Sequence, residues 1–256
     1  MKLKDNIKVK FAALSLLFSI TFLTGGKGYG YIMPAEQLLD FMVNNFSKLK
    51  TVSIVQSTLQ VSDGREKVFK EQIWLKSPDL YNLKVIDRAV ERTRYPDMAY
   101  LQLLIANSRW RIERLLSAMD VNIKSVAFTR LDGVIAYRIG EKEGPRLLIE
   151  KERFIPLLLE YRMAENVDGD MVTIRFQDYR EQGNNWFPFE VTYSEGNMIK
   201  ERYTVQTFEY NIPVGSALMK HFQLIPAPEH ETENIAADDE EDRPKNIIRA
   251  FEEKYQ

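Results

Sequence analysis

Gln72-Ile73-Trp74-Leu75-Lys76-Ser77-Pro78-Asp79-Leu80-Tyr81-Asn82-Leu83-Lys84-Val85 is the stretch from which the rest of this chain is best read. Ile73 and Leu75 before the proline, and Tyr81 and Leu83 after it, recur at every second position, the spacing at which strand side chains share one face. Ser77-Pro78-Asp79 between them has the composition of a bend. The stretch therefore predicts two neighbouring strands that present a common apolar wall, and nothing in it carries catalytic chemistry.

Working outward, residues 51–61 form a β-prone run, Ser62-Asp63-Gly64 a tight turn, and residues 68–75 the returning strand. Upstream, Pro34 suits a first helical turn, and Leu38, Leu39, Phe41, Met42, Phe46 and Leu49 follow at spacings of three and four, which predicts an amphipathic helix of about four turns. Downstream, residues 96–119 break the β-pattern. Met98, Leu101, Leu104 and Ile105 mark one helical stretch, and Trp110, Leu115, Leu116 and Met119 a second, parted near Asn107-Ser108.

Strand-like runs then recur over residues 123–130, 134–139, 146–150, 156–162, 171–180, 186–193 and 198–210, with turn signals between them, among them Asp132-Gly133, Glu143-Gly144 and residues 166–170. Short connections predict antiparallel pairing in chain order, and no βαβ rhythm supports a nucleotide-binding parallel sheet. The expected fold class is mainly β (α+β), a single antiparallel sheet with a few helices.

The chain has 256 residues, 45% of them hydrophobic, and a formal charge of −2, which gives no basic footprint for nucleic acid. Lys2, Lys4, Lys8 and Lys10 precede an apolar run from Phe11 to about Thr24 and then small residues up to Gly30, the pattern of a secretory signal peptide over residues 1–30, cleaved or retained as an anchor. Its removal takes away five Lys and one Asp and leaves a formal charge of −6. Leu23-Thr24-Gly25-Gly26 is followed by Lys27 and not by cysteine, so the chain is not lipidated there. With no cysteine at all, disulfides, thiol catalysis and thiolate metal sites are excluded. Residues 226–256 read as an acidic, poorly folding tail in which Ile247, Ile248, Phe251 and Tyr255 permit a short helix.

Catalytic constellations are hard to assemble from this sequence. Its two histidines, His221 and His230, lie in or beside the polar tail, away from any nucleophile or metal-ligand spacing. Glu150, Glu152, Glu160 and Glu165 are numerous enough for an acid–base pair, but charged residues on the outward face of antiparallel strands follow the same alternation. The expectation is a protein without enzyme activity, cofactor or metal. What remains is the apolar content: Phe69, Ile73, Leu75, Tyr81 and Leu83 on strands, and Leu101, Leu104, Trp110 and Leu115 on the inserted helices, which either pack as a core or line a cavity.

Ile73-Trp74-Leu75-Lys76-Ser77-Pro78-Asp79-Leu80-Tyr81-Asn82 resembles the strand-bend-strand signature of the LolA family of periplasmic lipoprotein carriers. Phe46-Ser47-Lys48-Leu49-Lys50 with residues 51–56 resembles that family's start, and residues 148–157 resemble the later hairpin of its lipoprotein-sorting relatives. The three islands stand in the family's order over residues 34–210.

The resemblance implies a half-open barrel over residues 31–225, with helices covering its concave face and an apolar cavity for acyl chains. Phe69, Ile73, Leu75, Tyr81, Leu83, Leu101, Leu104, Trp110 and Leu115 would then be the cargo-binding residues. It implies as partners acylated lipoproteins or another lipid, an inner-membrane releasing or exporting complex and an outer-membrane acceptor, and a monomer in the periplasm. A lipid-binding or lipoprotein-sensing module of the same fold, working with a membrane exporter or regulator, remains an alternative. In the well-studied carrier of the family, the residue before the signature proline is an arginine that bonds to the covering helices; here it is Ser77, which implies that closure of the lid is weaker or is held by other residues.

Overall fold

A computed structural model describes residues 32–62, 64–87, 92, 98–162, 171–183 and 185–226. The signal peptide, the tail beyond residue 226, Asp63, and the turn at residues 166–170 lie outside the described residues. The chain divides into two units, residues 1–32 and 33–256, and the fold below is that of the second.

Helix α1 (Ala35–Phe46) opens the fold and buries Ala35, Leu38, Leu39, Met42, Val43 and Phe46 on one stripe. It is three turns long and not four. Its apolar period runs on past its end because Leu49, whose N–H bonds the Phe46 carbonyl, is also fully buried in the core.

Among the described residues eleven strands follow: β1 (Thr51–Ser62), β2 (Arg65–Lys76), β3 (Leu80–Val85), β4 (Val126–Leu131), β5 (Val134–Gly140), β6 (Arg146–Glu150), β7 (Pro156–Arg162), β8 (Met171–Gln182), β9 (Asn185–Glu195), β10 (Met198–Tyr210) and β11 (Gln223–Leu224). Between β3 and β4 stand helices α2 (Leu101–Ile105) and α3 (Arg109–Ala118), and between β10 and β11 a single turn, α4 (Ser216–Met219).

The strands of the described residues belong to one antiparallel sheet, ordered β11-β3-β2-β1-β10-β9-β8-β7-β6-β5-β4. Pairing follows chain order except at two junctions, where β10 joins β1 and β11 joins β3. The sheet curls without closing, so β11 and β4 remain edges.

In the opening stretch, Ile73 stands opposite Ile54 and Leu83, and Leu75 opposite Val52 and Tyr81, so one wall runs unbroken across β1, β2 and β3. Helices α1, α2 and α3 cover that face, and their buried residues merge with Ile139, Leu147, Ile149, Leu159, Ile174, Val191 and others into one apolar core. A satellite cluster of Ala136, Leu148 and Leu158 lies apart from it. At the β5–β6 connection Gly140 has φ +108, and a Cβ there would stand 2.3 Å from the Pro145 carbonyl oxygen, so only glycine fits.

Candidate functional site

The concave face has an apolar end and a polar end, and the difference is written into the inward positions of β1. Val52 and Ile54 face inward first; after an irregularity at Val55/Gln56 come Gln56, Thr58 and Gln60, all buried. At the apolar end Ile73, Leu75, Leu101, Leu104 and Leu115 are each at most 3% exposed and belong to the same core as α1. Tyr81 and Leu83 sit at its margin, half-buried against it. With Asn82, His221 and Gln223 they line a recess of about 460 Å³ at the β3–β11 edge.

Two of the expected wall residues stand elsewhere. Trp110 is 54% exposed. The inward face of α3 is Ile112, Leu115 and Leu116, and Trp110, two positions before Ile112, points about 200° round the helix. Its ring instead carries the Arg111 and Arg114 guanidinium groups at 5.4 and 5.8 Å. Phe69 is buried but lies outside the main apolar cluster, beneath the guanidinium of Arg92 at 5.6 Å.

The bend after β2 is where the covering helices attach to the sheet. The Ser77 amide donates to the Lys50 carbonyl at 2.9 Å, and its hydroxyl donates to the Ile105 carbonyl at the end of α2 at 3.0 Å. Asp79 pairs with Arg111 of α3 at 2.8 Å, and the Asp79 carbonyl accepts from the Ile225 amide at 2.7 Å. Gln102 of α2 donates to the Ile225 and Pro226 carbonyls at 3.4 Å. These fastenings are single polar contacts at the rim, each worth about 1 kcal/mol or less.

The polar end holds what the sequence reading missed. Arg92, from the connection between β3 and α2, inserts between Glu71 of β2 and Glu201 of β10, with side-chain exposures of 1%, 0% and 4%. Its Nε and Nη2 donate to Glu71 at 3.1 and 3.2 Å, and its Nη1 and Nη2 to Glu201 at 3.0 and 2.9 Å. Glu71 also accepts from Gln56 at 2.9 Å and Thr58 at 2.6 Å; Glu201 accepts from Gln60 at 2.8 Å and from the Tyr203 hydroxyl at 2.6 Å. Burial by itself pulls the Arg92 pKa down, but the hydrogen bonds and charge of Glu71, then of Glu201, outweigh it and hold the guanidinium above its ordinary value. The signal for this cluster was present: Phe69, Glu71, Ile73 and Leu75 keep one period, and a glutamate at an inward position calls for buried polar or cationic partners.

A buried carboxylate pair is also what an acid–base enzyme would need. Here all four carboxylate oxygens accept hydrogen bonds from Arg92 or from neutral donors, which leaves the pair as the two sides of an ion triad. Glu150 pairs with Arg153, Glu160 pairs with Arg146, Glu152 is exposed, and Glu165 lies outside the described residues. Among the described residues no group of His, Asp or Glu is arranged to hold a metal ion, and no helix is long and apolar enough to cross a membrane.

No protein-family model and no curated protein sequence matches the chain. Solved structures do. The chain is similar to a LolA superfamily protein from Nitrosomonas europaea, at 11% identity and a TM-score of 0.47 over 71% of this chain and 96% of that one. It is similar to a putative outer membrane lipoprotein-sorting protein domain from Vibrio parahaemolyticus, at 10% identity and a TM-score of 0.42 over 72% and 96%. A DUF1329 family protein from Desulfovibrio piger aligns at 9% identity and a TM-score of 0.47 over 73% and 98%.

Proposed function

We propose that this chain is a periplasmic, non-enzymatic carrier that holds the acyl chains of a lipoprotein between the concave sheet and the α2–α3 lid, for sorting to the outer membrane. The observation that carries the reading is the construction of the interior. Ile73 and Leu75 of the sheet and Leu101, Leu104 and Leu115 of the helices meet in one apolar core, while the helices are tied to the rim at the bend by single polar contacts. Acyl chains lose about 0.8 kcal/mol per CH₂ when exposed to water, so carrying them needs an apolar wall and a cover that moves. In the described state the helices pack against the apolar end of the concave face. Loading therefore requires them to lift, and the recess beside Tyr81 and Leu83 is the natural mouth.

The absence of cysteine makes a clean test possible. A bridge between Ser77→Cys and Ala106→Cys fastens the bend to the end of α2, where Ser77 already touches the Ile105 carbonyl. Uptake of a triacylated peptide by the chain without its first 30 residues is expected to stop when the bridge is oxidised and to return on reduction. Undiminished uptake by the bridged protein rejects the carrier reading. In a host making acylated lipoproteins, crosslinking to an inner-membrane releasing complex supports sorting. Crosslinking to a transmembrane regulator or a lipid exporter supports the sensing or lipid-traffic alternative.

A further inference from the structure

The Glu71–Arg92–Glu201 triad is asymmetric in how its members are held. Glu71 and Glu201 stand on β2 and β10, the two strands that flank β1, and β1 supplies Gln56, Thr58 and Gln60. Their positions are fixed by ladder hydrogen bonds on both sides. Arg92 comes from the connection that leads from β3 into α2, and every nitrogen of its guanidinium is engaged by the two carboxylates. The sheet is a rigid socket, and the connection carries the group that fills it.

The socket also touches the start of the lid. Tyr203, whose hydroxyl donates to Glu201, stacks on Tyr100 immediately before α2, with ring centroids 6.3 Å apart. Compared with the pair Arg111–Asp79, whose side chains are 36% and 30% exposed, and the single hydroxyl of Ser77, the triad is shielded from water, and parting it strands buried charge.

We propose that Arg92 is the latch of the α2–α3 lid: docked between Glu71 and Glu201, it pins the chain entering α2 to the sheet, and the lid opens when it withdraws. The inference rests on the carrier reading for a lid that opens and for what passes beneath it, and the latch is testable without cargo.

Hydrogen–deuterium exchange of the wild-type chain is compared with that of Arg92→Lys, which keeps the charge but loses the two-sided fork, and Arg92→Ala. Exchange over residues 101–118 is expected to rise about tenfold or more in Arg92→Ala and by less in Arg92→Lys, while β8 and β9 keep wild-type rates. An equal rise throughout the sheet and the lid marks a merely structural ion triad and overturns the proposal, as does an unchanged lid. Ethylguanidinium added to Arg92→Ala refills the socket without restoring the covalent link. Lid exchange that stays fast in its presence supports a latch, and lid exchange that returns to the wild-type rate overturns it. A latch confirmed this way in a protein that takes up no acylated peptide would refute the cargo and leave the device standing.

Discussion

Two phenols in different parts of the sheet, Tyr203 buried and Tyr179 partly buried, tie the molecule's stability to alkaline pH. The Tyr203 pKa is raised well above 10.0, by burial first and then by Tyr100 and Glu201 against the opposing charge of Arg92. The Tyr179 pKa is also raised well above 10.0 by burial, with Arg153 opposing and Glu150 adding; its hydroxyl donates to the Pro156 carbonyl at 2.6 Å. Both therefore keep their protons in the folded state at a pH where the unfolded chain has released them. Their contribution is complete below about pH 10 and declines as pH rises through the raised values. The urea midpoint is expected to fall as pH rises above about 10, and to fall less in Tyr179→Phe/Tyr203→Phe. Equal slopes in the two proteins would assign the loss to other groups. Single side chains on the lid should separate as cleanly in chemical denaturation. Leu104→Ala removes a fully packed side chain and is expected to cost about 2–5 kcal/mol, Ser77→Ala about 1 kcal/mol, and Trp110→Ala less than about 1 kcal/mol. Leu104 and Ser77 were legible because they obey a helical period and a bend signature. Trp110 misled because bulk was read without its angle on the helix, and Arg92 was silent because a connection has no period to betray it.

At the scale of elements, local pattern was most informative where one element touches water on one side. The stripe of α1 and the alternation of β2 show their faces in the sequence; β11 and α4, at two and four residues, are too short to show any. Helix α1 has no side-chain cap, and twelve residues are marginal for an isolated helix, so its stability comes from its buried stripe. Leu39→Ala is expected to destabilise the fold by about 2–5 kcal/mol in a denaturant titration, and Glu36→Ala, on the exposed side, to change it by at most about 0.5 kcal/mol. The β5–β6 connection gives a backbone test. Gly140→Ala meets both an unfavourable φ and the Pro145 carbonyl, and a loss of more than about 1 kcal/mol is expected; a neutral result would mean that the connection shifts freely.

At the scale of the whole molecule, a single antiparallel sheet was predictable because most of its connections are short and each tight turn names its own partner strands. The junction of β1 with β10 was not, since pairing between Val52 and Tyr210 leaves no mark on the residues near either. The polar socket straddles that junction, with Gln60 on one side and Glu201 on the other, so the inward period of β2 marks Glu71 but not the Glu201 half of the socket.

That junction also sets a timetable for folding. A chain emerging from its N-terminus can form the β1–β2–β3 hairpins and the β4–β9 meander early, from neighbours already present, but the two parts join only once β10 has arrived. Contacts so distant in sequence are slow to form, because the intervening loop must close first. Pulsed amide labelling during refolding is expected to protect the meander before the β1–β10 ladder. The socket for Arg92 would be built in that last step, so a chain halted before residue 198 would carry the arginine with only half of its receptor.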